Sequence, residues 1–144
     1  MSTLLITGPA LCAWRENRSG GRVGMQSVLN VLANRAKRGN TSMYAEAVRK
    51  LQFSSMTARG DSQTVLWPIE GDPLYAIAEE MVQNPELPDI TNGSVDYYAP
   101  QGLTEAQDYK LPNGSTVKFP ATWNPSRYIF ETEIAGQLFW KETQ

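Results

Sequence analysis

The chain contains no histidine, and its only cysteine is Cys12. The first absence excludes the most. Imidazole is the usual general base behind a serine or cysteine nucleophile and a common ligand of catalytic zinc. Without it, Cys12 has no partner for a Cys-His dyad, and a zinc amidase or peptidase loses its ordinary ligands. If the chain performs chemistry, carboxylates are first in line to move its protons, and no metal is expected. A single cysteine also excludes an intrachain disulfide, in keeping with a reducing compartment. Its place in the apolar pattern of the first helix reads as a buried thiol packing as a small hydrophobe. Excess positive charge is missing too: the net charge is -2 and the pI is near 5.2. That leaves no electrostatic footprint for nucleic acid. No apolar run is long enough to cross a bilayer. The opening Met-Ser-Thr-Leu-Leu-Ile-Thr-Gly-Pro lacks the basic n-region and long apolar core of a signal peptide. The expectation is a soluble protein made in the cytoplasm, with no stable membrane association.

What is present argues for a packed globule. The hydrophobic fraction is 41%, with four Trp, six Tyr and four Phe, too apolar for a disordered tail. The length of 144 residues suits one domain, 1–144. The stretch from Leu11 to Arg38 organises the rest. An amphipathic segment runs into Glu16, Ser19-Gly20-Gly21 breaks it, and a second amphipathic segment leaves. In the second, Met25, Val28, Leu29, Leu32 and Ala36 recur at helical spacing, with Gln26, Asn30, Asn34 and Lys37 on another face. A carboxylate at a helix end, beside a glycine turn and a helix carrying amides, is a place for acid chemistry. It is also a common surface corner. Arg35, Lys37 and Arg38 fall where the helix macrodipole favours cations.

In chain order, Thr7-Gly8-Pro9 starts the first helix, with Pro9 where its missing N–H costs nothing. The second runs from about Arg22 to Arg38 and stops at Gly39-Asn40. Ser42 caps a short third helix in which Tyr44, Ala47, Val48 and Leu51 share a face. A polar loop follows Gln52-Phe53-Ser54-Ser55-Met56, to about Val65. Asp72-Pro73 opens a fourth helix with Leu74, Ile77, Ala78, Met81 and Val82 in register, ended by Asn84-Pro85. Beyond residue 85 the texture changes. Val95 to Ala99 reads as a short strand, and Lys110 to Val117 as a hairpin turning on Asn113-Gly114. Arg127 to Thr132 is expected to pair with Gln137 to Lys141 through Ala135-Gly136. There are no repeats. The fold class expected is α+β: helices followed by a small antiparallel region in the C-terminal half.

Several motifs, in order, resemble a known family. Glu16-Asn17-Arg18, Gly24-Met25 and Asn34-Arg35 are similar to the opening of the spore cortex-lytic (SleB-type) cell wall hydrolases, a family that includes many phage and prophage endolysins. The similarity continues at Gln52-Phe53-Ser54, at Asp89-Ile90-Thr91-Asn92-Gly93-Ser94, at Tyr97-Tyr98-Ala99-Pro100 and at Pro120-Ala121-Thr122-Trp123. It closes at Gly136-Gln137-Leu138-Phe139-Trp140-Lys141. Members often carry histidine where this chain has Asp96-Tyr97-Tyr98 and Gln137-Leu138, and a second acid where it has Gly20. Those departures bear on substrate-binding detail and leave the first Glu intact.

The resemblance implies a mainly helical, lysozyme-like domain with Glu16 as the catalytic acid. It implies cleavage of the β-1,4 bond between N-acetylmuramic acid and N-acetylglucosamine in a peptidoglycan glycan strand, with no cofactor. A hydrolytic muramidase needs a second carboxylate roughly 5 to 9.5 Å away, for which Asp96 is the best placed. A lytic transglycosylase needs only one, because the muramyl C6 hydroxyl attacks intramolecularly. The latter is favoured here. Amides, hydroxyls and rings suit sugars, so Gln52, Ser54, Asp96, Tyr97, Tyr98 and Trp123 are the substrate-binding candidates. Strand alternation allows only one of Tyr97 and Tyr98 to face a groove. Phe53, Trp14 and Trp140 read as core. The competing reading from another class is a catalytically dead peptidoglycan-binding or structural module. A monomer is expected, held in the bacterial host cytoplasm until a separate holin-type permeabiliser opens the membrane.

Overall fold

The computed structural model describes residues 8–49, 53–58 and 60–143. Helices come first and antiparallel strands after, so the fold is α+β with its strands in the C-terminal half. The chain divides into two compact units, Met1–Ile90 and Thr91–Gln144.

In the first unit, α1 (Gly8–Asn17) and α2 (Gly21–Gly39) are joined by a short 3-10 turn, Arg18–Gly20. The stripe Met25, Val28, Leu29, Leu32 and Ala36 is buried, as its spacing predicts. Gln26 and Asn30, on the other face, are buried as well, which the periodicity does not show. Gln26 and Asn30 each donate a side-chain amide N–H to the Pro88 carbonyl at 3.0 Å. The Ile90 N–H donates to Asn30 Oδ1 at 2.9 Å, and Asn34 Nδ2 donates to Asp89 Oδ2 at 3.0 Å. Amides one turn apart therefore satisfy the backbone of a segment that has no ladder partner of its own. The amide face clamps the 88–90 stretch. Helix α2 ends on Asn40 in the left-handed region (φ 54), a common helix terminator.

Ser42 caps α3 (Met43–Ala47) by accepting from the Ala45 N–H at 3.0 Å. The apolar face expected on α3 is corrected in part: Ala47 is buried as expected, but Tyr44 and Val48 are exposed, whereas Glu46 is buried. Leu51 lies outside the described residues. Glu46 is buried because its carboxylate is satisfied. The Thr41 hydroxyl donates to it at 2.7 Å, and Arg49 donates from Nε at 3.2 Å and from a guanidinium Nη. The Arg49 hydrogen bond, aided by Thr41 and opposed by burial, holds the Glu46 carboxyl below its ordinary 4.5. A depressed folded-state value means that the stabilisation is complete above the unfolded pKa and is lost as pH falls through the folded one. Acid titration should therefore cost the native protein stability progressively from about pH 4.5 downward. Glu46→Gln should start less stable at neutral pH and show a flatter acid limb, read by denaturant unfolding at each pH. Parallel acid limbs in the two proteins would contradict this.

Between Phe53 and Val65, where the sequence suggests a polar loop, lie α4 (Ser54–Thr57) and a 3-10 turn, Ser62–Val65. Helix α5 (Pro73–Val82) starts as predicted. The Asp72 carboxylate accepts from the Leu74 and Tyr75 N–H groups, and Pro73 takes the first turn. No described helix is long and apolar enough to cross a membrane.

The second unit holds β1 (Asp96–Tyr98), β2 (Ala106–Lys110), β3 (Thr116–Pro120), β4 (Tyr128–Ile134) and β5 (Gln137–Glu142). A three-stranded antiparallel sheet runs β1-β5-β4, and β2-β3 forms a separate hairpin. The β4–β5 turn sits on Ala135 (φ 49) and Gly136 (φ 80), the paired positive values of a tight hairpin turn. The β2–β3 loop turns at Gly114 (φ 90), beside Asn113. Leu111, Phe119, Leu138 and Trp140 form the core, with Tyr98, Tyr109, Trp123, Tyr128 and Phe130 packed on it. Phe119 meets Trp140 edge-on at 4.9 Å, and Trp123 stacks on Tyr128 at 4.7 Å, geometries that aromatic quadrupoles favour.

Candidate functional site

The site begins with the link between α1 and α2. Gly21 has φ 66 and ψ -153, a conformation essentially confined to glycine. That residue lets the chain turn within one short 3-10 segment, so the end of α1 packs on the start of α2. The approach is close. A Cβ added at Gly24 would sit 2.9 Å from the Asn17 backbone oxygen and from its side chain. Glycine at position 24 is therefore required sterically by Asn17, the neighbour of Glu16. The Gly24-Met25 pair has a physical reason here: Gly24 admits the helix end and Met25 fills the core.

Glu16, partly exposed, is the penultimate residue of α1. It lines a cavity of about 320 Å³ with Arg15, Asn17, Arg18, Ser19 and Gln63. Two arginines build the walls. The Arg18 guanidinium lies 4.1 Å from the centre of the Trp14 ring, and its Nη1 donates to the Trp14 carbonyl at 3.0 Å and to Gln63 Oε1 at 2.7 Å. It thus covers an α1 carbonyl and positions Gln63 at once. Gln63 is held from the other side by its backbone, whose N–H donates to Asp61 Oδ1 at 2.8 Å.

Arg15, buried, spreads its fork over the 55–67 segment. Nε donates to the Leu66 carbonyl at 3.0 Å, Nη1 to the Ser55 carbonyl at 3.1 Å and Nη2 to the Thr64 carbonyl at 3.1 Å. Its guanidinium also lies 4.6 Å from the centre of the Trp67 ring. Burial lowers the Arg15 pKa from its ordinary value; at neutral pH it stays a cation. A second cavity of about 330 Å³ shares Arg15 and continues past Thr64 to Trp67, Tyr44 and Val48. Trp67 is 58% exposed and Tyr44 60%, so this cavity presents aromatic surface to solvent.

Chemically, the first cavity presents one carboxyl among amides, a hydroxyl and guanidinium groups. That set suits a hydroxyl-rich ligand and a proton transfer at a single atom. Cys12 takes no part in such chemistry. Its thiol is buried, and burial first, then the nearby Glu16 charge, pushes its pKa well above 9.0. Among the described residues, no group of three or more carboxylates or thiols is placed to hold a metal ion.

The remaining candidates fall as follows. Gln52 lies outside the described residues. Ser54 opens α4. Asp96, Tyr97 and Tyr98 form β1, opposite Trp140, Phe139 and Leu138 of β5. Tyr97 stacks on Phe139 at 5.3 Å. Tyr98 meets Trp123 edge-on at 5.5 Å and stacks on Trp140 at 6.2 Å. The two tyrosines thus contact different clusters, as alternation demands, and Tyr98 and Trp123 share one. Burial pushes the Tyr98 phenol pKa upward, and its hydroxyl donates to the Lys118 carbonyl at 2.6 Å. Phe53, Trp14 and Trp140 are buried, as core residues should be.

Sequence reasoning missed Gln63, Ser19 and the structural parts played by Arg15 and Arg18. One local signal for Gln63 was present: Asp61 caps the turn that carries it. Compared with protein-family models, with curated proteins and with solved structures, the chain matches no family model, no curated protein and no solved structure.

Proposed function

We propose that the chain is a peptidoglycan-degrading glycosidase of the spore cortex-lytic type, acting as a lytic transglycosylase on the N-acetylmuramic acid–N-acetylglucosamine bond. The observation that carries this reading is Glu16 at the end of α1, lining a polar cavity of about 320 Å³ whose walls are set by Arg18, Gln63 and Arg15. The motif order around Glu16-Asn17-Arg18 supports it from the sequence.

A glycosidic oxygen is a poor leaving group until it is protonated. In the proposed reaction the Glu16 carboxyl gives its proton to O4 of N-acetylglucosamine as the C1–O4 bond breaks. The muramyl C6 hydroxyl then bonds to C1 and surrenders its proton to the Glu16 carboxylate, which restores the acid. Holding the nucleophile on the same sugar supplies a high effective concentration and removes the need for an activated water. Asp96, in the second unit, is the carboxylate that a hydrolytic muramidase would draw on.

A zymogram with purified peptidoglycan in the gel tests the reading against its rival, a binding module without activity. The expected result is a cleared band at 16.0 kDa. An opaque band from folded protein would remove the catalytic reading and leave the binding one.

A further inference from the structure

The cavity of about 330 Å³ beside Trp67 adjoins the one that Glu16 lines, and the glycosidase reading leaves it unused. Arg15 lines both, and the chain neighbours Gln63 and Thr64 line one each. Gly8, Leu11 and Arg15 recur at intervals of three and four, so this cavity follows one face of α1 toward the end that carries Glu16. That face covers about 10 Å of helix. Two exposed rings belong to the cavity, and both are held. The Trp67 ring meets the Arg15 guanidinium, which the carbonyls of Ser55, Thr64 and Leu66 pin in place. Tyr44 lies against the first residue of α1, where a Cβ added at Gly8 would sit 2.6 Å from its ring. Glycine at position 8 makes room for that ring. Rings fixed before a ligand arrives lower the ordering cost of binding.

We propose that this cavity is a carbohydrate subsite, which holds a further sugar of the same glycan strand with one sugar face against the Trp67 ring. The choice of ligand rests on the glycosidase reading. A pyranose presents an apolar C–H face and a polar rim, which asks for a ring with hydrogen-bonding groups beside it. The Thr64 hydroxyl donates to the Asp61 carbonyl at 2.7 Å and can still accept from a sugar hydroxyl. The Tyr44 hydroxyl can donate or accept. Leu11 and Val48 add apolar lining suited to the methyl of an N-acetyl group. Continuity with the Glu16 cavity favours this occupant over a protein partner. A strand cleaved at Glu16 extends beyond it in both directions, and the α1 face leads one of them to these rings.

Isothermal titration calorimetry of the full chain carrying Glu16→Gln, so that strands survive, tests this. The ligands are a disaccharide and an octasaccharide of alternating N-acetylglucosamine and N-acetylmuramic acid. The octasaccharide should bind at least about tenfold more tightly than the disaccharide, and Trp67→Ala should remove most of that advantage. Trp67→Phe, which keeps a ring beside Arg15, should retain more of it. Tyr44→Ala, at an exposed position, should also weaken the octasaccharide, and it decides the matter if Trp67→Ala does not fold. Ile69→Ala trims an exposed apolar residue outside the cavity and should leave binding unchanged. The subsite is overturned by no saturable octasaccharide binding, by unaltered affinity in the folded ring variants, or by equal weakening in Ile69→Ala. Self-association that depends on Trp67, with strand binding unchanged, would assign the rings to a second copy and overturn it as well. Strand binding through Trp67 with no clearance by the native protein would remove the glycosidase reading and keep the subsite. Native clearance with octasaccharide affinity untouched by the ring variants would do the reverse.

Discussion

Glu16→Gln should reduce clearance of purified peptidoglycan by at least roughly a hundredfold while leaving the fold intact. The substitution keeps the shape and the hydrogen-bonding reach of the side chain but removes its transferable proton. Glu16 is partly exposed at a helix end, so the exchange creates no buried hole, and the unfolding midpoint should stay near that of the native protein. That separation matters because a loss of activity through unfolding would prove nothing about acid catalysis. Turbidity clearance and denaturant unfolding, measured on the same preparations, check both halves. Activity within a few-fold of native in folded Glu16→Gln would remove Glu16 from the chemistry.

Arg15→Lys should damage stability and activity together. The Arg15 fork reaches three backbone carbonyls, at Ser55, Thr64 and Leu66, and a lysine ammonium cannot span all three. Hydrogen bonds from a charged donor contribute about 1.5–3 kcal/mol each, and they are not additive. A total loss of about 2–4 kcal/mol is expected. Amide exchange should show where that loss falls: protection should drop across residues 55–67 and hold in α2. Since Gln63 is carried by this segment, clearance should fall as well. Native-like exchange over 55–67 in Arg15→Lys would show that the fork does not organise the segment.

Arg15 and Arg18 mark the limit of what the sequence makes legible. Regular elements declared themselves through local chemistry: the stripe from Met25 to Ala36, the Ser42 cap, Asp72-Pro73 at the start of α5 and the turn at Ala135-Gly136 each depend on near neighbours in the chain. The burial of Gln26 and Asn30 did not, because what covers them is the Pro88–Ile90 backbone, some 60 positions away. The pattern on α3 misled for a related reason. Glu46 is inside because Thr41 and Arg49 satisfy it, and pairing overrides the ordinary preference of a carboxylate for water. Likewise the 54–65 stretch has weak local propensity and takes its shape from an Arg15 side chain that a sequence pattern treats as surface charge. Glu16 could be singled out because a glycine-broken helix end is visible in the sequence. Its neighbour across the cavity, Gln63, is brought in by Arg18; the Asp61 cap marks the turn that carries it but not its place beside Glu16.

The most direct test of the central claim is mass spectrometry of the soluble products released from purified peptidoglycan, with and without borohydride. The account predicts muropeptides ending in 1,6-anhydromuramic acid, whose mass borohydride leaves unchanged. Products heavier by one water, with reducible ends, would contradict the intramolecular route and turn attention to Asp96. Release of no muropeptide at all would contradict the glycosidase itself.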